Sequence, residues 1–338
     1  MKNMKVGVVG VGHLGKVHAR IYGELPGVDL VAVADINEEE ARLTAKKYGC
    51  EACKDYHDFM DRIDAVSVVV PTDLHFAVAS DFIKAGKHVI VEKPMTLTLK
   101  EAEDLVALSR ERGIIMQVGH VERFNPAVLA VREYIDSPRF IECDRISAFS
   151  FRSMDVGVVL DLMIHDIDIV LAFVDSPVTE IDAMAVSVVG RNEDMANARI
   201  QFEDGCIANL RASRVSRKTM RKIRIFQKDT YVSLNYGTHK AQIFRKTGEF
   251  DPAMLLKFKQ NAPSVQEAQE MMFDKLLDIR EIDIVFEEPL KKELESFVHA
   301  IREGDEPVVS GQLGLQTMQI ATSILEAIKT GKRIYIGE

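Results

Sequence analysis

Lys5-Val6-Gly7-Val8-Val9-Gly10-Val11-Gly12-His13-Leu14-Gly15 is a short apolar strand running straight into three glycines spaced G-x-G-x-x-G, with a helical pattern from there through Tyr22. A second apolar run, Leu30-Val31-Ala32-Val33-Ala34, ends in Asp35, about twenty residues past the last glycine, which is the spacing of a dinucleotide-binding βαβ unit. Gly10 permits the tight turn, Gly12 lets the backbone approach a pyrophosphate, and Gly15 lets helix and strand pack closely. The helix N-terminus, with His13 and Leu14 in its first turn, offers free N–H groups to phosphate. Asp35 is placed to accept from both ribose hydroxyls. A carboxylate there repels a 2′-phosphate, and the following Ile36-Asn37 supplies no Arg to receive one, so the sequence favours NAD over NADP. Asp35 could instead cap the next helix, but Asn37 is as good a candidate for that.

Further strands are expected at Ala65–Val70, at His88–Val91 and at Ile114–Val118, with amphipathic helices between them. That alternation predicts a parallel sheet covered on both faces, an α/β Rossmann domain over residues 1–120. Ligands of such sheets bind outside the carboxyl ends of the strands. Two segments fall there. Pro71-Thr72-Asp73-Leu74-His75 could line the nicotinamide half of the cleft, although Thr72 serves equally well as a helix N-cap and Asp73 as a first-turn acid. Glu92-Lys93-Pro94 ends a buried strand, and a partly desolvated Lys93 in that crevice can act on a substrate hydroxyl. The plainer alternative is a lysine that merely ends a strand.

Past Asn125-Pro126 the pattern changes to a helix through Tyr134, a strand near Phe140–Phe151 and a strongly apolar helix over Val158–Phe173. Asp161 and His165, four residues apart, share one face of that helix, so the carboxylate can orient the imidazole or stabilise its protonated form. A structural hydrogen-bonded pair is the alternative. Asp168 one turn on raises a metal site, but one histidine with helical carboxylates is too little, and no metal is expected. From Glu180 to Phe244, alternating strands with turns near Glu203-Asp204-Gly205, Gln227-Lys228-Asp229 and Tyr236-Gly237 predict a large, open-faced, mostly antiparallel sheet. Amphipathic helices near Pro289–Arg302 and Gly311–Lys329 complete an α+β domain over residues 121–338. The open sheet face needs cover, and a second copy is the simplest cover, so a homodimer or homotetramer is expected. Arg211, Arg214, Arg217, Lys218, Arg221, Lys222 and Arg224 form the basic cluster; it reads as a solvated hairpin or as a site for a phosphate-bearing substrate.

The bulk composition narrows the classes. A chain of 338 residues with 47% hydrophobic and 28% charged residues has room for two full cores. The net charge of −9 argues against a broad grip on nucleic acid or an anionic membrane. No apolar run is long enough to span a bilayer, and the N-terminal run lacks a signal-peptide cleavage pattern, so a cytoplasmic protein is expected. Four scattered cysteines predict reduced thiols; Cys50-Glu51-Ala52-Cys53 matches C-x-x-C but lacks a second pair or histidine partner at metal spacing.

Taken together, Gly10-x-Gly12-x-x-Gly15, Pro71-Thr72-x-x-His75, Gly86-Lys87-His88-Val89 running into Glu92-Lys93-Pro94, and Asp161-x-x-x-His165 resemble the Gfo/Idh/MocA oxidoreductases, the glucose-fructose oxidoreductase and inositol dehydrogenase group, along essentially the whole chain. The resemblance implies a nicotinamide cofactor contacted by Pro71, Thr72, His75, Glu92 and Lys93 beside the glycine loop. It also implies a catalytic set of Lys93, Asp161 and His165, and a dimer or tetramer packed through the open sheet. Many members carry glycines shortly before the catalytic Asp; here the stretch is Val156-Gly157-Val158-Val159-Leu160, so the floor of the substrate pocket is expected to differ. Gly119–Pro126 and Met154–Leu162 are most similar to the UDP-N-acetylglucosamine 3-dehydrogenase branch, which makes 3-amino sugars for lipid A or surface polysaccharide. By that resemblance the reaction is oxidation of a secondary sugar hydroxyl, with Arg123 and Asn125, together with Asp161 and His165, as substrate contacts. Dehydrogenation of a free polyol or inositol, an NAD-dependent glycosidase and a non-catalytic NAD sensor remain as other readings.

Overall fold

The computed structural model describes residues 2–148, 156–238, 240–249, 264, 266–267, 270 and 275–337. The chain divides into two compact units, Met1–Phe124 with Glu287–Ser323, and Asn125–Phe286 with Ile324–Glu338.

In the first unit, β1 (Met4–Val9), β2 (Val28–Ala34), β3 (Glu51–Cys53), β4 (Ala65–Val68), β5 (His88–Glu92) and β6 (Met116–Gly119) form a parallel sheet in the order β3-β2-β1-β4-β5-β6. The helices are α1 (His13–Glu24), α2 (Glu38–Tyr48), α3 (Thr72–Lys84) and α4 (Leu99–Glu111). Asn37 accepts from the backbone of Glu39 and Glu40 at the start of α2, and Thr98 with Glu101 closes a capping box on α4, so both starts are set by local chemistry. β3 has no counterpart in the sequence pattern: three residues are too short for periodicity to register, and Cys53 ends it.

A single boundary at 120/121 does not hold. The helix α7 (Pro289–Glu303) carries Leu290, Leu294, Phe297 and Val298 on one stripe, and these enter the same buried cluster as Val6, Val8, Ile21, Tyr22 and Val33. That stripe is complementary to the first unit's core, which is why the chain returns to it.

The second unit is built on a nine-stranded sheet, order β14-β13-β12-β11-β7-β10-β9-β8-β15. Its strands are β7 (Phe140–Ala148), β8 (Val178–Val186), β9 (Met195–Phe202), β10 (Ile207–Ser216), β11 (Met220–Gln227), β12 (Thr230–Asn235), β13 (Lys240–Lys246), β14 (Leu277–Ile282) and β15 (Ile334–Tyr335). All neighbours are antiparallel except β7 and β10. The sequence pattern carries β7 on to Phe151; residues 149–151, like Met154 and Asp155, lie outside the described ones. One face buries Ile141, Cys143, Leu210, Ala212, Ile223, Ile225, Val232 and Ile243. The short helix α5 (Pro126–Val131) packs on β12 and β13, and α6 (Ile164–Phe173) on β7 and β10. The opposite face carries Glu142, Asp144, Arg211 and Arg224 together with an aromatic ladder, Phe140–Phe226–Tyr231–Phe244, whose ring centroids are 6.0, 4.7 and 5.0 Å apart. The last long helix, α8 (Gly311–Thr330), contains the division between the units. Among the described residues no helix is long and apolar enough to cross a membrane.

Candidate active site

The strand order of the first sheet reverses between β1 and β4, so the loops leaving their carboxyl ends flank the crevice in which such sheets hold ligands. Gly10 has φ +87°, and a Cβ on it would run into the Val69 carbonyl; a Cβ on Gly15 would overlap the Gly10 carbonyl. Any side chain at either position would push the loops apart. Around Gly12, by contrast, a Cβ would meet nothing within 4 Å, so the approach to that backbone is open. α1 then begins with no side-chain cap and no acidic residue in its first turn, and His13 and Leu14 are exposed there. An uncapped helix N-terminus beneath an open backbone suits a pyrophosphate.

Asp35 stands beside the same loop. Its Oδ2 accepts from the Val11 N–H at 2.8 Å and its Oδ1 from the Asn37 N–H at 2.9 Å, so the carboxylate both fixes the glycine loop and is itself held in place. Each oxygen keeps a lone pair for a further donor, which matches a vicinal diol. Ile36 beside it is 87% exposed and provides a bare apolar surface. The residues present therefore fit a dinucleotide.

The other cofactor candidates separate. Thr72 is the first residue of α3 rather than its N-cap; Pro71 stands before it, and Asp73 is the first-turn acid. His75 is buried, with Nδ1 2.9 Å from the Pro94 carbonyl and Nε2 2.9 Å from the Val70 carbonyl. Burial pushes its pKa below the ordinary imidazole range and outweighs the raising effect of those carbonyls, so the neutral ring donates to one of them. His75 is a strut between the loops after β4 and β5, not a group with a nitrogen to offer the cofactor. Glu92 is likewise committed: its Oε1 lies 3.1 Å from His18 Nε2, His18 Nδ1 lies 3.1 Å from Ser67 Oγ, and Tyr22 Oη lies 2.8 Å from the same oxygen. Burial raises the Tyr22 hydroxyl, which stays protonated at the end of that chain. Gly119 leaves room for the Glu92 carboxylate, 2.9 Å from where a Cβ would stand. Half-buried Lys93 follows directly, so the network braces the strand end that presents it. A histidine on the buried face of α1 and a serine in an apolar strand are the only sequence signals of it.

In the second unit, Asp161 lies in a π-helical turn, Val159–Met163, and His165 in the first turn of α6. A π turn inserted into a helix is often found at functional sites. Asp166, next to His165, takes a bidentate grip from Arg145 on β7, Nε–Oδ2 2.9 Å and Nη2–Oδ1 2.8 Å, with both side chains buried. Asp168 is fully buried, and the described residues hold no cluster of three or more His, Cys, Asp or Glu side chains arranged for a metal ion. Asn125 uses one lone pair of its Oδ1 to cap α5 through the Ala127 N–H at 3.0 Å. Arg123 is buried within the short turn Val121–Phe124 of the first unit.

The basic cluster also divides. Arg211 pairs with Asp144, Arg224 with Glu142 and Asp144, and buried Arg214 with Asp194, whereas Arg217, Lys218 and Lys222 make no ion pair among the described residues. Burial pushes both Cys50 and Cys53 up to about 11, which leaves them poor nucleophiles.

Comparison with known proteins extends this picture. The profile described as an oxidoreductase family with an NAD-binding Rossmann fold, of the GFO/IDH/MocA group, matches residues 4–120, and that of the GFO/IDH/MocA C-terminal domain matches residues 128–232. A UDP-N-acetylglucosamine 3-dehydrogenase from Acidithiobacillus ferrooxidans is 33% identical over 330 residues, covering 97% of this chain and 98% of that protein. A solved structure of that enzyme superposes with a TM-score of 0.86 at 32% identity, over 98% of this chain and 99% of the other. A scyllo-inositol 2-dehydrogenase (NAD(+)) from Bacillus subtilis is 26% identical over 366 residues, covering 99% and 98% of the two chains. A levoglucosan dehydrogenase in complex with NADH and levoglucosan shares the fold, with a TM-score of 0.84 at 20% identity over the whole of both chains.

NAD is the cofactor of the first unit. Replacing Asp35 with Ser removes a charged acceptor worth ~1.5–3 kcal/mol per hydrogen bond, about 10- to 100-fold in Kd. Titration of NAD and NADP into Asp35→Ser is expected to show that loss for NAD and little for NADP; an unchanged NAD affinity would remove Asp35 from the ribose site.

Proposed function

Because the chain belongs to the GFO/IDH/MocA oxidoreductase family and carries its NAD-binding Rossmann domain, we propose that it oxidises a secondary hydroxyl of a sugar, C3 of a UDP-N-acetylhexosamine such as UDP-N-acetylglucosamine, to the keto sugar. The observation that carries this reading is the 33% identity to a UDP-N-acetylglucosamine 3-dehydrogenase across both units, against 26% for an inositol dehydrogenase of similar coverage.

Charge supports a phosphorylated substrate. In a protein of net charge −9, the β10–β11 turn keeps Arg217 and Lys218 exposed and un-neutralised. Ser216 at its base pairs with Ala148 at the end of β7, and Arg214 Nη1 donates to the Val156 carbonyl at 2.7 Å, just before the helix of Asp161. The cationic turn and the start of that helix thus share one end of the sheet. Three residues of strand at ~3.3 Å each put Arg217 roughly 10 Å beyond Arg214, a separation that a sugar diphosphate can cover.

In the proposed reaction His165 takes the hydroxyl proton, directly or through Lys93, and Lys93 stabilises the negative charge that develops on oxygen. Asp161 holds the imidazole in the receiving tautomer. Bound NAD supplies the acceptor for the hydride from the carbinol carbon. Arg123 and Asn125 are further candidates for gripping the sugar or its phosphates.

The chain is also proposed to assemble through its open sheet face. The aromatic ladder there and the half-exposed Phe226 and Ile279 suit a second copy of the same surface. Light scattering at micromolar concentration should give a dimer or tetramer mass; a monomer contradicts this assembly.

Lys93→Met is expected to keep NAD affinity and lose about 10²–10⁴-fold in kcat, the range for a proton-transfer group; unchanged turnover would take Lys93 out of the mechanism. Arg217→Ala with Lys218→Ala should raise KM for UDP-N-acetylglucosamine about 10-fold or more, since each charge-assisted phosphate contact is worth ~1.5–3 kcal/mol, while leaving KM for NAD unchanged. If KM for the nucleotide sugar does not move, the hairpin is only a solvated turn and the case for a free polyol gains.

A further inference from the structure

The turn that carries Asp161 is held from outside its own helix, by the loop between β8 and β9. The Val158 N–H donates to the Glu193 main-chain carbonyl at 3.1 Å, and the Val159 N–H donates to Glu193 Oε1 at 3.2 Å. The Glu193 carboxylate lies directly over Gly157, where a Cβ would fall inside it. Neighbouring Asp194 makes the loop rigid. Fully buried, it accepts from the Val188, Val189 and Gly190 N–H groups at 2.8, 2.6 and 2.9 Å through Oδ2, and from Arg214 Nε at 2.8 Å through Oδ1. Burial acts to raise this carboxyl; the backbone donors and the Arg214 guanidinium outweigh it and hold it well below the usual carboxylate range. Arg214 completes the circuit by donating from Nη1 to the Val156 carbonyl at 2.7 Å. Both ends of the Val156–Val159 entry are thereby referenced to β10.

The support falls where the helix is least able to hold itself. The π turn Val159–Met163 has a looser hydrogen-bond spacing than an α-turn, so its own backbone sets the direction of Asp161 less firmly. An acceptor fixed at the two N–H groups that open it sets rotation and height from outside. We propose that Glu193 is a positioning residue, anchored by the Asp194–Arg214 pair, that orients the turn bearing Asp161 and, one turn on, His165. Gly157 is the residue that makes room for it. The inference rests on the reading of Asp161 and His165 as the proton-handling pair, but its geometry is independent of which sugar is oxidised.

The test combines kinetics with a readout that needs no substrate. In Glu193→Ala, kcat with UDP-N-acetylglucosamine should fall about 10- to 100-fold, the scale of a small misplacement of a reacting group, with KM for NAD unchanged. Glu193→Gln, whose amide oxygen still accepts from Val159, should recover most of the loss. Gly157→Ala should reproduce the Glu193→Ala defect by displacing the carboxylate, yet cost little when added to Glu193→Ala, a coupling that two unrelated structural lesions would not show. Hydrogen exchange should show faster exchange confined to residues 156–165 in Glu193→Ala and in Gly157→Ala. Full kcat in Glu193→Ala, additive losses in the double variant, or unchanged exchange over 156–165 would each overturn the proposal. Should the wild type turn over no UDP sugar, the substrate reading falls while the exchange pattern still decides the positioning role.

Discussion

Dinucleotide binding in the first unit depends on the backbone of β1 turning into α1 with no side chain in the way. Gly10 and Gly15 meet main-chain carbonyls where a Cβ would stand, so the turn can be this tight only with glycine at both places. The closeness has two results. It sets an uncapped helix N-terminus beside the open backbone of Gly12, and it brings Val11 within hydrogen-bond reach of Asp35, at the end of the next strand. The open loop and the Asp35 carboxylate are therefore not independent features: one carboxylate fixes the glycine loop and keeps acceptor sites that fit a ribose diol.

The second unit solves a different problem, that of presenting polar groups from a strongly apolar helix. Charged side chains inside such a helix are tolerated only when paired and fully hydrogen-bonded. Arg145 supplies that for Asp166, and Arg214 supplies it for Asp194 in the loop that supports the entry to the same helix. Removing one partner from a buried pair of this kind costs ~3–5 kcal/mol, whereas exposed pairs such as Lys100–Asp104 contribute under about 1 kcal/mol. The two buried arginines come from strands of the same sheet, β7 and β10, the one parallel pair in it. The sheet is in this sense the template against which Asp161 and His165 are registered.

Both units and most of their strands are legible in the sequence, because burial on two faces leaves apolar runs and burial on one leaves alternation. What escapes detection lacks a local signature. β3 and β15 are too short, and β14 comes after a long stretch without strand periodicity. The placement of α7 with the first unit is a matter of which core its stripe meets, and an amphipathic stripe does not name its partner. The same limit applies to side chains. Gly10, Gly12, Gly15 and Asp35 are readable because their roles follow from spacing along one βαβ unit. His75, Asn125 and Glu92 also carry structural contacts that no local pattern announces, through ring nitrogens, one lone pair of an amide oxygen and one carboxylate oxygen, to partners as distant in sequence as His18. Glu193 gives no signal at all, since its role exists only where the β8–β9 loop meets Val158 and Val159.

The most direct test of the proposed chemistry is the fate of one hydrogen. UDP-N-acetylglucosamine carrying deuterium at C3 would be incubated with the purified protein and NAD, with a carbonyl trap to draw off the keto sugar, and the reduced cofactor analysed by mass spectrometry. Deuterium in the reduced cofactor, formed only when the sugar is present, is the predicted result. Reduced cofactor without the label would contradict oxidation at C3, and its absence with this sugar but formation with inositol would contradict the nucleotide-sugar reading altogether.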